Sequence, residues 1–178
     1  MSDTPKRKRG RERERPGPYR WAVQVFFLAI VLSAALSLAS ETSLSGAGAA
    51  AAALVLAVFI GLGILFDIIG VAVTAADPRP FHSMAAHKEK GAKEALKLLR
   101  NADRVSSVCN DVVGDICGIV SGSTAAVIVV RLQTAFALPE SVLLSVAVTA
   151  LVSGLTIGGK ALGKTVALNK STSVVYWV

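Results

Sequence analysis

The 178-residue chain reads as an all-α integral membrane protein with about four transmembrane helices. Two observations predict this: 53% of the residues are hydrophobic and only 17% are charged, with a mean hydropathy of +0.58. A third is the arrangement, because the apolar residues fall in long runs and not in the short amphipathic periods of a globular domain. A run of roughly 18 or more apolar residues crosses the ~30 Å of bilayer hydrocarbon at ~1.5 Å per residue. Barrel strands would alternate over about ten residues, and no segment here alternates for that long.

Four runs meet the length: residues 20–39, 48–74, 108–130 and 141–159. Residues 20–178 thus form one transmembrane domain, preceded by a basic arm over 1–19 whose Pro, Gly and mixed Arg/Glu content predicts disorder near anionic headgroups. A basic start, an apolar stretch and Ser37-Leu38-Ala39 also suit a cleavable signal peptide. The length of the run favours a retained anchor.

Eighteen of the nineteen Lys and Arg residues lie before or at the first residue of the first run, between the second and third, or after Gly159. The exception is Arg131. The positive-inside rule then expects a multi-pass protein of the cell membrane with both termini and the middle loop in the cytoplasm. Such basicity also suits nucleic-acid binding, but hydrophobicity outweighs that reading, so the expected partner is the lipid bilayer.

In the middle loop, Asp77-Pro78-Arg79-Pro80 ends the second run. Ser83 is a plausible N-cap for an amphipathic juxtamembrane helix over about 83–100, with Ala92, Ala95, Leu96 and Leu99 on one stripe. His82 and His87 read as solvated. Asp103 is a candidate cap for the third run. Cys109 and Cys117 stand two turns apart on one helix, too far to bridge, and without the histidine spacing of a zinc site.

The functional clue is a set of ionisable residues inside the apolar runs. Asp67 comes late in the second, Asp111 and Asp115 early in the third, and Lys160 and Lys164 at the end of the fourth. Charges at membrane depth are costly and face a bundle interior, pair with one another or line an ion path. Asp111 and Asp115, four apart, share a helix face, and two carboxylates with the Asn110 amide suit a hard cation such as Mg²⁺. Equally, these acids could neutralise Lys160 and Lys164 in structural ion pairs. Gly114, Gly118 and Gly122, and Gly154 and Gly158, form small-xxx-small faces suited to packing the third span on the fourth, or two subunits together.

Residues 158–165 satisfy the phosphate-loop pattern GxxxxGK[ST], but the strand, helix and α/β core that the motif needs are missing from its surroundings. No nucleophile or cofactor fingerprint stands out, and no enzymatic activity is expected.

From Asp67 onward the chain resembles the transmembrane domain of the cyclin-M and CorC-type magnesium transporters. Phe66-Asp67, the 91–99 helix, Asn101-Ala102-Asp103-Arg104, Asn110-Asp111-Val112-Val113-Gly114-Asp115 and the 159–165 stretch follow the order of that family's elements. Where the family has Ser-Glu, this chain has Phe66-Asp67; its Asn residues are Asp111 and Asp115, its Glu is Lys160 and its Pro is Gly163. The earlier Ser40-Glu41-Thr42 also looks like the family's Ser-Glu pair but stands before the second run. The resemblance implies a homodimer that binds and moves Mg²⁺ or a related divalent cation, with Asp111, Asp115, Asn110 and Asp67 as metal ligands. This chain is expected to depart from the family in lacking the regulatory nucleotide-binding module that usually follows. The alternative is a non-transporting scaffold or partner-recruiting protein held by Asp/Lys pairs.

Overall fold

The computed structural model describes residues 18–46, 48–137 and 142–178, and all its regular elements are helical. They are α1 (Pro18–Leu44), α2 (Ala49–Ala75), α3 (Pro78–Ala86), α4 (Ala92–Arg100), α5 (Ala102–Ser107), a π-helical segment (Val108–Gly114), α6 (Asp115–Ala135), α7 (Val142–Asn169) and α8 (Ser171–Trp177). Four helical stretches are long and apolar enough to cross a membrane: α1, α2, the continuous run from α5 through α6, and α7. Residues 1–17 of the expected basic arm, and Ser141 at the start of the fourth expected span, lie outside the described residues. Tyr19, assigned to the arm, belongs to α1.

Three of the four membrane-length stretches are longer than the apolar runs that announced them, and α2 matches its run in length, shifted by one residue. Hydropathy counts only residues that prefer lipid, whereas a helix continues wherever its backbone bonds stay satisfied. α1 thus runs on through Ser40-Glu41-Thr42 to Leu44, where the hydroxyls of Thr42 and Ser43 bond back to carbonyls one turn earlier. The third stretch starts at Ala102 and not Val108, and α7 extends ten residues past Gly159. Lys160 and Lys164 therefore lie inside α7 and not at its end.

The middle loop departs from the single helix expected over 83–100. Asp77 caps α3, its carboxylate accepting from the Arg79 amide at 2.9 Å, and Pro78 occupies the first turn, where a missing N–H costs nothing. Ser83 consequently sits mid-helix. α3 stops at Ala86, the chain turns through Lys88 at φ +58° and Gly91 at φ +82°, and α4 begins. Gly91 takes that left-handed conformation without the steric cost a side chain would add. Asp103 lies in the first turn of α5; the N-cap is Asn101, whose side chain instead donates to the Lys97 carbonyl at 2.9 Å.

α2 is the central post, packed against α5, the π-helical segment, α6, α7 and α8. Three apolar clusters follow its length. At its carboxyl end Ala72 and Val73 pack with Phe81, Ala95, Ala167 and Val175, which seats α3, α4 and α8 on the end of the bundle. Midway, Phe59 meets Val112, Ile116, Cys117 and Val120, with Val25, Ala29, Leu32 and Leu36 of α1 laid alongside. At the far end Leu44, Ala52 and Ile128 close the core.

Polar contacts mark the two ends. The Arg104 guanidinium lies over the Trp21 ring at 5.0 Å, tying the start of α1 to α5. At the opposite end Arg131 donates to the Leu44 carbonyl and, at 3.3 Å, to that of Gly48. It thereby satisfies the Leu44 carbonyl at the end of α1, which the helix cannot bond itself, and links it to the N-cap of α2.

Candidate functional site

Ionisable residues converge where α2, the π-helical segment and α7 meet. α7 approaches α2 closely because it presents glycines: a Cβ on Gly159 would run into Ile64, and one on Gly163 would lie 2.8 Å from Ile68 Cγ1. Between those two glycines stands Lys160. Its ammonium lies 3.7 Å from Asp67 Oδ1, with both side chains mostly buried at 27% and 18% exposure. A Cβ on Gly114 would sit 3.4 Å from the same ammonium, so Lys160 points into the three-way junction. At 3.7 Å the pair is a charge contact and not a hydrogen bond. It neutralises both charges in a setting where either alone would be costly.

Asn110 packs one turn further along α2. A Cβ on Gly70 would overlap the Asn110 carboxamide, so glycine at that position is what lets the side chain fit. The amide nitrogen donates to Ser106 Oγ at 3.2 Å, while Oδ1 is buried with no hydrogen-bond partner among the described residues. Asn110 belongs to a π-helical segment, whose wider turn leaves carbonyls outside the regular ladder and recurs at functional sites.

Asp111 and Asp115 face elsewhere. Both are exposed on the outer surface of the bundle, and Ser107 Oγ donates to Asp111 Oδ2 at 2.9 Å. Neither has an ion pair among the described residues. The four expected metal ligands therefore divide, with Asp67 and Asn110 at the inner junction and Asp111 and Asp115 outside it. Among the described residues no three His, Cys, Asp or Glu side chains come close enough together to hold a metal ion. Among the described residues Lys160 forms its ion pair with Asp67, and Lys164 is exposed.

The glycine faces also divide. A Cβ on Gly118, Gly122, Gly154 or Gly158 would meet open space, so these residues do not join the third span to the fourth within one chain. The glycines in close contact instead pack other helices on α2: Gly63, whose added Cβ would lie 3.2 Å from Cys117 Cβ, and Gly70 on α2 itself, with Gly159 and Gly163 on α7. The sequence signal for them was weaker, because small residues are common in apolar helices and only the contacts tell which face is used. Cys109 and Cys117 are free thiols.

Residues 158–165 lie wholly within α7, so no loop is present whose amides could cradle a phosphate. Comparisons with protein-family models, curated proteins and solved structures find no match.

Proposed function

We propose that this multi-pass membrane protein binds a divalent cation of the Mg²⁺ type at the Asp111–Asp115 face. The observation that carries the reading is that these two carboxylates, one turn apart, lack any compensating cation among the described residues, whereas Asp67 has Lys160. Two like charges one turn apart repel each other, and a hard cation bridging them relieves that repulsion. Ser107, bonded to Asp111, holds one carboxylate in place. The resemblance to the magnesium transporters points to the same ion, to transport of it and to a homodimer. In that assembly an outward-facing acidic pair is completed by a second copy.

A second reading has its own support. The Asp67–Lys160 pair occupies the junction where an ion path between α2 and α7 would run, and a fixed ammonium there competes with a mobile cation. On that reading the protein is a non-transporting scaffold locked by the pair.

The test is the thermal unfolding midpoint of the detergent-purified protein against Mg²⁺ concentration, with Asp111→Asn/Asp115→Asn alongside. A ligand of the native state raises the midpoint by mass action, by about 2.7 kcal/mol at 100 times Kd. A rise in wild type that the double variant lacks supports the cation site and leads to flux assays in vesicles. A flat response from well-folded wild type transfers the case to the scaffold reading.

A further inference from the structure

At the carboxyl end of α2 a cleft of about 310 Å³ opens between the last turn of that helix and α3, α4 and α5. Its walls are of two kinds. Val73, Ala76, Leu96 and Leu99 give it an apolar lining, with Val73 fully buried behind them. His82 from α3 and Arg100 from the last turn of α4 give it a polar side, and both are exposed. Arg100 has no ion pair among the described residues.

The geometry points to an anionic phospholipid as the ligand of this cleft, its phosphate held by Arg100 and His82 and the first part of an acyl chain against Leu96 and Leu99. Three features select that chemistry. First, an apolar lining gains nothing from a small soluble anion, while the cationic side disfavours a neutral apolar ligand; a molecule that is apolar at one end and anionic at the other satisfies both. Second, the cleft sits at the end of a membrane-length helix, where headgroups meet hydrocarbon. Its volume falls at the lower limit of the roughly 300–1,000 Å³ usual for small-molecule sites, enough for the polar end of a lipid whose chains continue along the outside of α2. Third, Arg79 to Arg104 contains seven Lys or Arg against three Asp or Glu, a field that concentrates anionic headgroups around the cleft. Arg100 supplies planar, forked donors suited to phosphate oxygens, and His82 adds an N–H from the facing helix. The inference rests on the multi-pass membrane reading and not on the cation site.

The break between α3 and α4 makes the cleft possible. A single straight helix over 83–100 would carry His82 and Arg100 about 27 Å apart at ~1.5 Å per residue. The turn through Lys88 and Gly91 folds α4 back against α3, so that both line one cavity.

The test uses the full chain in mixed micelles containing phosphatidylglycerol or phosphatidylcholine with the same acyl chains, in EDTA to remove divalent ions. Salt is kept at about 0.15 M, where charges beyond about 8 Å are screened. Phosphatidylglycerol is expected to raise the unfolding midpoint of wild type while phosphatidylcholine and inorganic phosphate leave it unmoved. Arg100→Gln/His82→Gln, which changes only exposed side chains, should lose that rise. Lys90→Gln/Lys93→Gln, which removes charge outside the cleft, should retain it. An equal rise with phosphatidylcholine, a rise with inorganic phosphate alone, or equal loss in the two double variants would each overturn the proposal. Because EDTA is present throughout, the outcome is independent of Mg²⁺ binding.

Discussion

Asp67 and Asp115 are the same side chain on neighbouring membrane-length helices, and the fold treats them in opposite ways. Asp67 turns inward to a lysine on α7 and loses most of its solvent exposure, whereas Asp115 and its neighbour Asp111, which accepts from Ser107, stay exposed on the outer face. The difference originates in the glycines around them. Gly159 and Gly163 bring α7 close enough to α2 for Lys160 to reach Asp67, while Asp111 and Asp115 stay exposed. An inward charge is answered within the chain; an outward one is left for an ion, a lipid or a second chain.

The largest expected effect separates the two regions by stability. Lys160→Met leaves Asp67 uncompensated and should cost about 2.5–3.5 kcal/mol, the insertion cost of a lone charge at membrane depth. Asp67→Asn should cost less, because the freed lysine can extend its flexible stem toward water. Exchanging the residues, Asp67→Lys with Lys160→Asp, should recover most of the loss. Denaturant unfolding in detergent measures all three, and a Lys160→Met protein as stable as wild type would show that the pair does not lock the bundle.

Next is the response to Mg²⁺. Asp111→Asn/Asp115→Asn should keep or slightly raise the metal-free midpoint, because two repelling charges are gone, yet lose the gain of about 2.7 kcal/mol at 100 times Kd. Lys160→Met should retain that gain, since its partner Asp67 is not one of the outward carboxylates. A Mg²⁺ response abolished by Lys160→Met would merge the two regions into one site and refute their separation.

Backbone approach offers a subtler contrast. Gly70→Ala puts a methyl into the Asn110 carboxamide and should destabilise by about 1–3 kcal/mol, the range for overpacking. Gly118→Ala meets open space and should be neutral, or stabilising by up to about 1 kcal/mol through helix propensity. If Gly118→Ala instead weakens self-association by analytical ultracentrifugation, the outward glycine face is the contact between copies.

How much of this was legible in the sequence depends on the physical signal involved. The four long helices followed from hydropathy, because bilayer thickness imposes a length that composition reveals directly. The Asp67–Lys160 contact was available only as one of several acid–lysine pairings, since no property of either residue tells which helix face it occupies. The outward direction of Asp111 and Asp115 was hidden too: four-residue spacing puts them on one face without saying what that face meets. The α3–α4 break lay in Gly91, which an amphipathic pattern tolerates at a cost of about 1 kcal/mol and which here marks the turn. His82 gave no sign of a role, because the residue opposite it in the cleft, Arg100, is eighteen positions away and reaches it only through that turn.

The smallest effect tests how far the inward polar pattern extends. Away from the charged junction, Ser40 of α1 and Thr124 of α6 meet through their hydroxyls at 3.3 Å, and both are buried. This bond between two side chains lies between the Arg104–Trp21 contact and the Arg131–Leu44 hydrogen bond, which tie the two ends of α1 to the third span. Along the rest of its length α1 is held by apolar contacts, with few buried residues of its own. Such bonds average only about 0.6 kcal/mol in membrane proteins, because the unfolded chain in lipid also finds partners. Thr124 moreover keeps its bond to the Val120 carbonyl at 2.8 Å, so losing Ser40 does not strand it. A double-mutant cycle of Ser40→Ala and Thr124→Val should therefore give a coupling near that value. A coupling several times larger would place α1 among the polar-locked elements with α2 and α7, and the contrast between an inward locked core and a loosely attached periphery would have to be redrawn.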